Sequence, residues 1–149
     1  MAADWLTAAA GMAQGVRRGQ DRAFPSPNGV PMASLTLIHP GAPEEAVAVP
    51  PEKLLAGSGR QGVGNAYSDA TGQFHAGTWS AEPATWRVAY TEHEYCEILQ
   101  GRIRMQHDDG TVQVVGPGDR FVVPAGWRGT WEVLEQARKV YVIFEPTPR

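Results

Sequence analysis

The chain has 149 residues, 42% of them hydrophobic, and a formal net charge of −3. That length suits one domain with a full hydrophobic core. The basic residues are scattered and leave no nucleic-acid footprint, and no apolar run approaches the roughly 20 residues that a membrane-crossing helix needs.

Residues 1–31 read as an N-terminal arm. Ala2 to Val16 has the pattern of a short helix, with Asp4 near its start and Arg17-Arg18 near its end, as the helix dipole favours. Those arginines follow the mildly apolar run instead of preceding it, the wrong order for a secretory signal. Ser26 to Pro31 reads as a turn-rich linker. Met32, itself an alternative start, opens a run to His39 expected to be the first strand of one domain over residues 32–149. Gly41 to Gly64, rich in Pro, Gly and Ala, reads as irregular connection. The single cysteine, Cys96, excludes an intrachain disulfide framework and suits a reducing compartment, so the expectation is a cytoplasmic protein.

From Phe74 onward short strands alternate with turn signals, which argues all-β. Trp86 to Thr91 and Tyr95 to Gln100 have strand length. After Gly101, Ile103 and Met105 face one way and Arg102 and Arg104 the other. Asp108-Asp109-Gly110 is a hairpin turn, because glycine accepts positive φ there. Thr111 to Val115 returns, and Gly116-Pro117-Gly118-Asp119 forms another tight turn. Phe121 to Pro124, Gly129 to Leu134 and Arg138 to Phe144 complete the set. Closing so many short strands into a barrel or jelly roll hides their edges.

Two glycine-anchored blocks stand out. Glu94 and Gly101 are separated by six residues; Gly118, Pro124 and Gly126 follow after a 16-residue interval, 102–117. This spacing resembles the two motifs of the cupin superfamily. Glu94, Cys96, Gly101, Gly118-Asp119, Pro124, Gly126, Trp131, Val133, Arg138-Lys139 and Tyr141 together resemble small single-domain cupins related to (S)-ureidoglycine aminohydrolase and the ethanolamine-utilisation cupin. The resemblance implies a cupin jelly roll, a double-stranded β-helix barrel with its motif core over about 67–147, and a homodimer. It names no substrate.

The family's histidines are missing. Their paired slots fall on Val88 and Tyr90, or on Arg87 and Ala89, and the third falls on Gly129. Glu94 alone survives as a ligand, and one carboxylate does not hold a transition metal that needs three or four donors. The expectation is therefore no metal and no cofactor. Glu94 either sits in an apolar interior, where desolvation favours the neutral acid and proton transfer with Tyr90 assisting, or pairs with a nearby Arg, Lys or Tyr.

Trp127 and Trp131 either wall a cavity for a flat or apolar ligand or fill the core, and Tyr90 either hydrogen-bonds Glu94 or a ligand or packs in the core. Trp79 and Trp86 read as core or interface. Cys96 shares the face of Glu94 and reads as buried and inert. Lys139 and Tyr141 share a face; pointing inward, Lys139 neutralises Glu94 in place of the missing cation, and pointing outward both belong to a surface. His75 is the one histidine suited to a pocket. His93 is expected on the face opposite Glu94 or in the preceding turn, and His107 in solvent. Three functions stay open: a metal-free small-molecule-binding module, an enzyme of small-metabolite catabolism using Glu94 and Tyr90, and an accessory protein with a filled barrel.

Overall fold

The computed structural model describes residues 33–147; the expected helix over 2–16 and the linker at 26–31 lie outside the described residues. Among the described residues the architecture is all-β. Nine strands follow in chain order: β1 (Glu45–Ala48), β2 (Leu54–Gly57), β3 (Arg60–Ser68), β4 (Phe74–Ala81), β5 (Ala84–Ala89), β6 (His93–His107), β7 (Val112–Val115), β8 (Arg120–Val123) and β9 (Arg128–Phe144).

They hydrogen-bond into one curled sheet in the order β1-β3-β4-β9-β5-β2, with β6 joining β9 to β7 and β8. The organising strand is β9. Its first half pairs with β5 and its second half with β4, while β6 runs antiparallel along both halves. The inner face collects the apolar side chains, among them Val63, Trp79, Trp86, Val88, Ile98, Ile103, Met105, Trp131, Val133 and Ile143.

The two long strands stay continuous where the sequence reading divided each in two. Gly101 makes this possible. Its φ of 81° is a conformation reserved for glycine, and a Cβ there would lie 2.3 Å from the Gln136 carbonyl oxygen. The β6–β9 register shifts between Ile98 and Ile103. The buried positions on β6 accordingly change from even (Glu94, Cys96, Ile98) to odd (Ile103, Met105). A glycine bulge of this kind bends the strand and keeps apolar residues inward on both sides of the bend.

Two expectations are corrected. The stretch 41–64 is not irregular connection: it carries β1, β2 and the start of β3. The glycines that disguised β3 are needed for close approach, since a Cβ at Gly62 would meet Glu44 and Ser80, and one at Gly64 would meet Thr78. Conversely, residues 33–39 form no strand; Leu35 is 95% exposed, so alternation there has no face to bury. The turns at 108–110 and 116–119 form as expected, with Gly110 and Gly118 at φ 90°; the second is closed by the Asp119 amide donating to the Gly116 carbonyl.

Candidate functional site: a buried lysine–glutamate pair in an aromatic cage

Strand alternation places Glu94 and Cys96 on the inner face of β6, and it places Lys139 and Tyr141 on the inner face of β9. The register sets Cys96 opposite Tyr141 and Ile98 opposite Lys139. The Lys139 side chain extends back along its neighbour, and its ammonium donates to Glu94 Oε1 at 2.7 Å. The same Nζ lies 3.6 Å from Cys96 Sγ. Side-chain exposure is 4% for Lys139 and 1% for Glu94, so this ion pair is held away from water.

Two indoles complete the surroundings of the ammonium, whose Nζ is 4.5 Å from the Trp131 ring centroid and 4.9 Å from that of Trp79. Both distances fall within cation–π range. Trp79 is fixed in turn by its Nε1 donating to Gln61 Oε1 at 2.7 Å. Trp79 and Trp131 meet edge to face, and Tyr90 lies against Trp131 with centroids 6.4 Å apart. The Tyr90 backbone is clamped to the turn after β8, accepting from Gly126 N and donating to Trp127 O. That clamp sets the Trp127 ring edge-on to Tyr90.

Burial and charge fix the protonation states. Burial alone lowers the pKa of Lys139, but the neighbouring Cys96 and Glu94 outweigh it and raise the pKa above the usual lysine value. The side chain is therefore a cation at neutral pH. Burial, reinforced by the Glu94 charge, raises the Tyr90, Cys96 and Tyr141 pKa values. Both phenols and the thiol remain protonated. Of the two readings of Glu94, the geometry carries the pairing one, with Lys139 as the partner. Two buried polar atoms in this cluster make no hydrogen bond within 3.5 Å, Glu94 Oε2 and Trp131 Nε1, although the Tyr90 hydroxyl and the Cys96 thiol both lie close enough to interact with the Glu94 carboxylate.

The remaining candidates divide. Tyr141 donates to Asn65 Oδ1 at 3.0 Å. His75 is buried, yet both its ring nitrogens are engaged elsewhere, Nδ1 with Ser68 Oγ at 2.8 Å and Nε2 with the Gly72 carbonyl at 3.0 Å. From the start of β4 it therefore ties down the β3–β4 connection and takes no part in the Glu94 cluster. Trp127 precedes β9 and is only partly buried, with its indole edge 2.8 Å from where a Gly129 Cβ would stand. His93 is exposed. His107 is half-exposed, pairing with Asp109.

Sequence reasoning missed three participants. Trp79 lies in the core, one of the two places the sequence suggested, and there it also touches the cation. Gln61, which holds it, drew no attention. Glu92 is fully buried and accepts hydrogen bonds from the Thr91 amide and hydroxyl. The signal for Glu92 was present, because it lies two residues before Glu94.

The donor set does not fit a transition metal. Among the described residues no three His, Cys, Asp or Glu side chains converge. The former third-ligand position also cannot be refilled as it stands, since a Cβ on Gly129 would lie 2.1 Å from the Gln106 carbonyl oxygen. An open, charged groove of about 310 Å³, lined by Glu44, Arg60, Gln61, Ser80 and Glu82, reaches Gln61, which holds Trp79, but neither Glu94 nor Lys139.

Residues 68–141 match the family described as the EutQ-like cupin domain. None of the curated proteins matches the chain. Among solved structures, a DUF861-family protein of unknown function from Pseudomonas syringae pv. tomato superposes with TM-score 0.66 at 20% identity, covering 71% of this chain and 46% of that one. The EutQ protein of Clostridium difficile gives 0.52 at 16%, covering 57% and 62%. A putative ethanolamine utilization protein Q from Salmonella typhimurium gives 0.52 at 16%, covering 76% and 100%. The chain thus spans about half the length of the first of these relatives and about three-fifths of the second. At these identities the likeness establishes the fold. With the glycine-anchored motifs, the curled all-β sheet and the family match in agreement, residues 68–141 form a cupin domain of the EutQ-like group.

Proposed function

We propose that the protein is a metal-independent cupin that binds a small, polar, overall neutral organic molecule. In this reading the curled sheet is the jelly roll of a double-stranded β-helix, and the Lys139 ammonium takes the electrostatic place of the metal cation. The observation that carries the reading is the buried Glu94–Lys139 pair with an unpartnered carboxylate oxygen, Glu94 Oε2, and an unpartnered indole N–H, Trp131 Nε1, around it. Burying an ion pair is a poor route to stability, and buried charges with unused hydrogen-bonding capacity concentrate at functional sites.

The chemistry of the cluster restricts the ligand. Glu94 Oε2 accepts from an N–H or O–H, and Trp131 Nε1 donates to an oxygen. The opposite charges of Glu94 and Lys139 cancel, so the site favours neutral molecules with one donor and one acceptor, such as small amides or hydroxy-carbonyl compounds. Tyr90, Trp79 and Trp131 supply flat apolar walls. Tyr90, protonated throughout the neutral range, serves as a hydrogen-bond donor and not as a base.

A second reading, the filled barrel, has one observation in its favour: the Trp127 indole occupies the space beside Gly129. A thermal-shift screen of small neutral amides and hydroxy acids on untagged protein, followed by calorimetric titration of the hits, separates the two. The binding reading predicts saturable hits that Glu94→Gln weakens at least tenfold. A screen without hits, joined to an experimental structure showing a packed interior, would establish the filled barrel instead.

A further inference from the structure

Lys139 has a second neighbour besides Glu94, and the binding reading does not use it. Its Nζ lies 3.6 Å from Cys96 Sγ, with both groups buried and the Glu94 carboxylate touching the same ammonium. Amine, thiol and a base with one free oxygen are thus brought together by β6 and β9. Cys96 is the only cysteine in the chain, so no second thiol competes within the molecule.

We propose that Cys96 and Lys139 form a modification site, at which peroxide oxidation of the thiol is captured by the amine as a covalent sulfur–nitrogen crosslink. In the first step the Cys96 thiol attacks hydrogen peroxide. The O–O bond breaks, sulfur is oxidised by two electrons, and sulfenic acid and water result. In the second step Lys139 passes a proton to Glu94 across their 2.7 Å contact, which frees the Nζ lone pair. The lone pair attacks Sγ, and the S–O bond breaks. The departing hydroxide takes the proton held by Glu94 and leaves as water. The new S–N linkage then sheds its remaining extra proton to solvent by way of Glu94. Relative to the reduced chain the protein has lost two hydrogens, about 2 Da, as condensation of a sulfenic acid with a nitrogen requires.

Placement decides the outcome. A sulfenic acid in solution meets thiols or more peroxide, whereas here the nearest nucleophile is an amine held at contact distance, with the advantage in effective concentration that such placement confers. Burial slows the first step, because thiol oxidation follows exposure and thiolate character. The crosslink therefore accumulates over hours at millimolar peroxide. Its formation removes the charge of Lys139 and leaves Glu94 without its cation.

The test is peptide mass spectrometry on untagged, peroxide-treated protein digested with trypsin without reductant. The expected product joins peptide 88–102, which carries Cys96, to peptide 139–149, whose Lys139 is no longer a cleavage site. It should disappear after dithiothreitol and be absent in Lys139→Arg, which keeps a cation beside Glu94 but removes the nucleophilic amine. Met105, buried on the same strand, reports whether peroxide has reached the interior. Recovery of Cys96 as free thiol, or as sulfinic or sulfonic acid, with Lys139 unmodified and Met105 already oxidised, would overturn the proposal. So would equal crosslinking in concentrated urea, where the strand geometry is gone. The wild-type chain alone decides the matter if the variant fails to fold.

Discussion

Two of the ion pairs that join β6 to β9 invite comparison. On the outer face Arg104 and Glu132 stand directly opposite each other, with Nη1 and Oε2 3.4 Å apart and side chains more than a third exposed. On the inner face Glu94 and Lys139 are offset along the same ladder, reach each other at 2.7 Å and are almost wholly buried. The strands are the same and the charges similar, but the surroundings differ. Water screens the outer pair and can replace either partner. Nothing replaces a partner on the inner face, where the neighbours are Trp79, Trp131 and the Cys96 thiol. The comparison teaches that burial, more than geometry, turns an ordinary cross-strand pair into a site.

The largest expected effect comes from breaking the inner pair from one side. Lys139→Met keeps most of the side-chain volume but strands the Glu94 carboxylate, and should cost about 3–5 kcal/mol in urea unfolding. A middle effect concerns pH. The folded-state pKa of Cys96 is raised by burial and by Glu94, so its contribution is complete below the unfolded-chain value near about 8.5 and is lost as pH rises above it. Lys139 and the phenols of Tyr90 and Tyr141 are raised as well, and their contributions decline from about pH 10 upward. Stability should therefore fall in two stages on the alkaline side, and Cys96→Ser should erase the first. A single-stage loss in both proteins would place the thiol outside the coupled cluster. The smallest effect belongs to the outer pair: Arg104→Ala should change stability by about 0.2–1 kcal/mol, less in high salt. A loss as large as that of Lys139→Met would dissolve the contrast between the two faces.

How far these features were legible in the sequence depends on the kind of signal. Period two put Glu94 and Cys96 on one face, and the glycines at 101, 110 and 118 marked a bend and two turns, because positive φ leaves few alternatives. The orientation of Lys139 was not legible. Gly129 to Leu134 and Arg138 to Phe144 read as separate strands, so no count runs from one to the other; in β9 the buried positions are odd on both sides of the bend, and Lys139 shares the face of Trp131. The role of Trp79 was hidden for a related reason. Its partner Lys139 lies 60 positions along the chain, and only the β4–β9 register sets the two opposite each other. Strands β1 and β2 escaped notice because four-residue strands flanked by proline and glycine give no periodic signal. The sequence did reveal the missing histidines; Val88, Tyr90 and Gly129 occupy their slots, and the Lys139 ammonium is what pairs with Glu94.

The most direct test is a double-mutant cycle across that pair. Wild type, Glu94→Gln, Lys139→Met and the double variant would be unfolded in urea under one set of conditions. If Lys139 is the cation that Glu94 requires, each single change is costly and the double variant loses much less than their sum, with a coupling of at least about 2 kcal/mol. Losses that add to within about 0.5 kcal/mol would show that the two residues act independently, and would contradict the account.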